Sequence, residues 1–154
     1  DTSNTSQTPI PSPRTLNLLL SGDNKLYYYI GKPPVSDKDL EFSAMRLVKT
    51  NYGNKGIRKI LLQKNMLLYE KIDSVNSEII SGKINFEQDS MLSLIRLYKK
   101  KDKHGPIVLI KAHKSAKYRN IVDVIDEMAI CNVARYAVVD MNYYEQKMLE
   151  TAPN

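Results

Sequence analysis

The sequence predicts an α+β domain. Its small mixed sheet comes from an N-terminal hairpin and a C-terminal βαβ unit, with helices packed on one face and an inserted helical pair. Three stretches carry that prediction. In 106–140 the apolar run Ile107, Val108, Leu109 and Ile110 has the length and branching of a buried strand, a periodic helix follows, and 136–139 supplies a second strand. A helical crossover of this length makes the two strands parallel and the connection right-handed. Near the start, two apolar runs flank the turn formers Ser21, Gly22, Asp23 and Asn24, which together signal a hairpin. Between these units, apolar residues recur at three-and-four spacing, the period of helices.

The chain has 154 residues, a size that suits one domain around one core. With 42% hydrophobic and 26% charged residues the composition is that of a globular protein, and no apolar run approaches the roughly 20 residues that cross a bilayer. The chain begins at Asp1 without a basic segment and apolar core, so it is expected to be a processed or excised piece of a longer protein. A net charge of +6 permits attraction to phosphates, anionic lipid or acidic polymers without choosing among them. The densest basic run, Lys99, Lys100, Lys101 and Lys103, falls at the end of a predicted helix, where cations complement the dipole. The single cysteine, Cys131, has no partner for an internal disulfide and is expected to act as a small core residue.

Taken in order, 1–14 is a flexible linker of Thr, Ser, Asn and Gln punctuated by Pro9, Pro11 and Pro13, and 15–150 is the domain. Leu16, Leu18, Leu19 and Leu20 form the first strand, and Leu26 to Ile30 the second, in which Tyr28 faces away from Tyr27 and Tyr29. Ser36 with Asp39 imitates a capping box and opens a helix with the face Leu40, Ala44, Leu47 and Val48, ended by the cluster 51–56. A long helix should run from Ile57 to about Ile80 and another from Asn85 through Tyr98, as an antiparallel pair. The βαβ helix has the stripe Ile121, Val122, Ile125, Met128 and Ala129, with Asn120, Asp123, Asp126 and Glu127 facing away and Asn132 as a left-handed stop. Tyr143, Tyr144, Met148 and Leu149 suggest a short last helix.

No catalytic constellation, metal site or cofactor motif is predicted. His104 and His113 lack a second ligand at metal spacing on a shared element. His113 follows a strand, where α/β enzymes place active residues, but its loop lacks the glycines that cradle phosphate and reads as a solvent-facing turn. Asp123, Asp126 and Glu127 read as a solvated helix face rather than an acid/base pair. Ten tyrosines could stack single-stranded nucleic acid, yet the basic residues are scattered and no RNA-binding signature accompanies them, so no nucleic-acid partner is predicted.

At its two ends the chain resembles the ExbD/TolR biopolymer-transport family. The stretch LNLLLSGDNKLYYYIGKPPVSDKDL is similar to that family's opening strand, D-N turn, second strand with a Gly-x-x-Pro segment, and first helix. The stretch PIVLIKAHKSAKYRNIVDVIDEMAICNVARYAVVD is similar to its strand, loop to Tyr, Val-x-x-Val-(Met/Ile)-Asp helix and last strand, with Tyr118, Val122, Ile125, Asp126 and the strand from Ala137 in place. It departs at His113, where an acidic residue is usual, at Asn132, where glycine is common, and through a helical insertion of about 53–86 that looks like Bacteroidetes-type members. The resemblance implies the periplasmic part of a single-pass inner-membrane subunit of a Gram-negative motor, driven by the proton motive force. That motor energises TonB-dependent transport across the outer membrane. The implied protein is not an enzyme and needs no cofactor. Its implied partners are a second copy of itself, an ExbB-type membrane subunit through a transmembrane helix outside this chain, and a TonB-type protein. The alternative is a TolR-like protein that binds peptidoglycan. On this reading an extended partner segment adds to a sheet edge, either the hairpin strand or the last strand. The expected partner-binding residues are Leu18, Leu20, Tyr118, Asp126, Tyr136 and Val138.

Overall fold

The structure, a computed structural model, describes residues 14–66, 96–97 and 105–153. Residues 1–13 of the linker, the part of the long predicted helix beyond Met66, most of the second helix of the pair, the basic run and His104 lie outside the described residues. Chain order is β1 (Thr15–Leu20), β2 (Leu26–Ile30), α1 (Asp37–Met45), β3 (Val48–Thr50), α2 (Ile57–Lys64), β4 (Ile107–Ala112), α3 (Tyr118–Ile130), β5 (Arg135–Val138) and α4 (Tyr143–Glu150). The five strands form one mixed sheet in the order β3-β2-β1-β4-β5. β1 is antiparallel to β2 and parallel to β4, and β4 is parallel to β5. The class is therefore α+β with a small mixed sheet, joined from hairpin and βαβ unit as the sequence predicts.

The hairpin closes where Asp23 and Asn24 both take φ 57° and the Lys25 amide donates to the Gly22 carbonyl at 3.2 Å. Two successive left-handed residues give the tight turn whose twist matches paired strands, and Asp and Asn tolerate that conformation better than most residues. At the other end of the chain, Asn132 at φ 53° stops α3. The Val133 amide reaches back to the Met128 carbonyl and the Asn132 amide to Ala129, a Schellman closure that also seats Val133 in the core.

The helices cover both faces of the sheet, which corrects the expectation of one. Leu16, Leu18 and Leu20 of β1, with Val108 and Ile110 of β4, meet Ile57 and Leu61 of α2 and Val124 and Met128 of α3. Alternation sends Leu19, Tyr27 and Tyr29 to the opposite face, where Met148 of α4 and Leu40 and Ala44 of α1 cover them. A central strand buried at every position, as β1 is, needs a layer on each side. Tyr28 faces away from its two tyrosine neighbours, as predicted, and packs on the first core.

Two other expectations need correction. The first helix stops at Met45, and Val48 belongs to β3, paired with Tyr28. In α3 the buried side is Asn120, Val124, Glu127 and Met128, while Val122 and Ala129 are exposed. The stripe turns because Asn120 and Glu127, both polar, find partners inside. Asn120 donates to Asn24 Oδ1 at 3.1 Å, and Glu127 takes both forks of Arg58 at 2.8 Å. Gly56 caps the start of α2, where a Cβ would lie 2.2 Å from the Asn51 carbonyl oxygen.

Candidate functional site

The sheet has two open edges among the described residues, β3 and β5, and these differ. β3 is three residues long and carries Lys49, both common ways of blunting an edge. β5 is exposed along its whole length. The Val139 amide donates to the Ile110 carbonyl at 2.9 Å, and in a strand the peptide groups alternate sides. Residues in phase with Val139, namely Ala137 and Arg135, thus turn their peptide groups toward β4. Those of Tyr136 and Val138 point out of the sheet.

Their side chains are also available. Tyr136 is 44% and Val138 51% exposed, and their register with Val108 and Ile110 puts them on the α3 side of the sheet. On that side α3 leaves Tyr118, Val122 and Ile130 uncovered, Tyr118 at 78%. Tyr118 opens α3 and Asp126 lies on its exposed face. Four of the six expected partner-binding residues thus fall on the surface of the crossover unit. Leu18 and Leu20 do not. Both are 0% exposed, and β1 is the central strand, bonded to β2 on one side and β4 on the other, so the hairpin strand offers no edge.

The second core holds a polar cluster that sequence reasoning missed. Lys111 Nζ lies 2.5 Å from Glu145 Oε2 and 3.0 Å from Asn17 Oδ1, and the Tyr29 hydroxyl donates to Glu145 Oε2 at 2.6 Å. Asn17 Nδ2 donates onward to the Gly31 carbonyl at 2.8 Å. Glu145 also caps α4, accepting from the Asn142 amide while its own amide donates to Asn142 Oδ1. Burial, then the hydrogen bond to Glu145, raises the Tyr29 pKa far above its usual value, so the phenol stays protonated. All four residues are closed to solvent, so they hold α4 to the sheet and meet no substrate. Two signals were readable: a lysine near the end of an otherwise apolar strand, and an Asn-x-x-Glu box opening the last helix.

Elsewhere, Asp123, Asp126 and Glu127 line a hollow of about 340 Å³ with Tyr52. Glu127 is buried and paired with Arg58, which corrects its assignment to the solvated face; Asp123 and Asp126 do face solvent. Burial, and then Asp123, raise the Tyr52 pKa. His113 is half-buried on the loop after β4, with Nδ1 2.7 Å from Ser115 Oγ, and its amide extends the β1–β4 ladder by donating to the Leu20 carbonyl. Among the described residues no three His, Cys, Asp or Glu side chains converge as metal ligands, and no helix is long and apolar enough to cross a membrane. Comparison with protein-family models, curated proteins and solved structures returns no match for this chain.

Proposed function

We propose that this chain is the periplasmic interaction domain of an ExbD-like subunit, part of a proton-motive-force-driven inner-membrane motor that energises TonB-dependent transport. It acts by binding protein rather than by catalysis. An extended segment of a TonB-type partner adds to β5, taking hydrogen bonds from Tyr136 and Val138 and packing against their side chains and the open flank of α3. The observation that carries this reading is the outward phase of the Tyr136 and Val138 peptide groups on an exposed edge strand. Support also comes from placement. The two stretches that resemble the family are the hairpin with α1 and the β4-α3-β5 unit, and β1 and β4 join them in a single sheet.

Proline substitution tests the docking geometry. Val138→Pro removes an outward donor while sparing the β4 ladder, so it should weaken binding of a TonB-type peptide about tenfold or more in fluorescence anisotropy, with the circular dichroism spectrum unchanged. Unaltered affinity in a folded Val138→Pro variant would rule β5 out as the docking edge.

A further inference from the structure

A cleft of about 500 Å³ lies where the end of β2 meets α1 and the end of α2, with Gly31, Lys32, Asp39, Phe42, Arg46 and Lys64 among its walls. The volume is that of a ligand site rather than of a lone ion. Among the described residues three cations there meet one carboxylate. That carboxylate, on Asp39, already accepts the Val35 amide at 3.2 Å. Among the described residues Lys32, Arg46 and Lys64 make no ion pair.

Arg46 is held ready. Its guanidinium lies over the Phe42 ring, 5.2 Å from the centroid, and its tips approach Gly31, where a Cβ would stand 3.5 Å from one nitrogen. Gly31 itself takes φ 118°, a conformation that side chains disfavour, and Pro33 stiffens the loop that follows. A planar fork fixed in this way matches a carboxylate bidentately. Phe42 meanwhile stays 61% exposed on the same wall, an apolar ring with room beside it. The three cations are spread over three elements, the loop after β2, the end of α1 and the end of α2. That spread suits carboxylates spaced along a chain better than a single phosphate.

We propose that this cleft binds an acidic peptide segment that carries an aromatic or aliphatic side chain between its carboxylates. Arg46 clasps one carboxylate, Lys32 and Lys64 balance the flanking charge, and Phe42 covers the apolar side chain. The site is independent of the β5 edge and maps to different residues, so either can fail alone.

The test is a titration of the isotope-labelled full chain, followed by amide NMR, with three probes: a short peptide alternating Asp and Phe, its Asn-for-Asp counterpart, and inorganic phosphate. The acidic peptide should give saturable shifts confined to 31–46 and Lys64. Arg46→Gln and Phe42→Ala should each weaken it about tenfold, with the unfolding midpoint nearly unchanged because both side chains are exposed. Equal shifts with the Asn peptide or with phosphate, shifts scattered over other lysines, or indifference to Arg46→Gln would each overturn the proposal. So would tight binding to phosphatidylglycerol vesicles without a response to the peptide, which would assign the cleft to a lipid headgroup.

Discussion

Lys111 Nζ and Glu145 Oε2 stand 2.5 Å apart inside the second core, with side chains 3% and 1% exposed. One comes from the C-terminal end of β4 and the other from the first turn of α4, so the pair fixes where the last helix docks. Burying two charges costs much of what their attraction returns, and removing one partner leaves the other stranded. We predict that Lys111→Met or Glu145→Leu alone lowers unfolding free energy by about 3–5 kcal/mol in urea titration, and that the double variant recovers the larger share. Recovery stays partial because Asn17 and Tyr29 each lose a partner. Additive losses in the double variant would show that the pair is not coupled.

Core and edge residues should separate cleanly. Leu18→Ala opens a cavity in a fully buried position and should cost about 2–5 kcal/mol. Tyr136→Ala on the exposed edge should cost under about 1 kcal/mol. Similar losses at both positions in the same denaturant titration would contradict the assignment of β1 as centre and β5 as edge.

Cys131 offers a probe of the first core. Burial, with a smaller push from Glu127, raises its thiol pKa from 9.0 to about 11, against a lowering influence from Arg58. The folded value lies above the unfolded one, so the thiol's contribution to stability is complete below about pH 9 and is lost as pH rises through about 11. At pH 8 a maleimide should react slowly with the folded protein and rapidly in denaturant. Fast labelling of the native protein would mean that the α3 end is open.

At the end of α3, Asn132 occupies the left-handed position of the closure. Glycine there should stabilise by up to about 1 kcal/mol, whereas valine should cost about 1–2 kcal/mol. The closing bonds run through the Asn132 and Val133 amides, so neither change removes them. A thermal melt in which Asn132→Val matches the parent would refute the strain argument.

Local chemistry was legible and tertiary partnership was not. The turn at Asp23 and Asn24, the stop at Asn132 and the period of the βαβ unit all follow from backbone preferences of a few neighbouring residues. β3 escaped because Val48 continued an apparent helical face and three residues are too few to show alternation. Glu127 and Asn120 looked solvated because their partners, Arg58 and Asn24, lie 69 and 96 residues away. The hairpin strand looked like a possible edge until β4, arriving late in the chain, paired with its free side. The pattern of the last strand points to Tyr136 and Val138, but the outward phase of their peptide groups follows only from the register with β4.

The central claim is that β5 receives an extended partner, and backbone amide mapping tests it most directly. On titrating an unlabelled TonB-type peptide into the labelled full chain, the largest shifts should fall on Tyr136, Val138 and their β5 neighbours and on the exposed flank of α3 at Tyr118 and Val122. Shifts confined to 53–98, with β5 unmoved at saturation, would contradict the account.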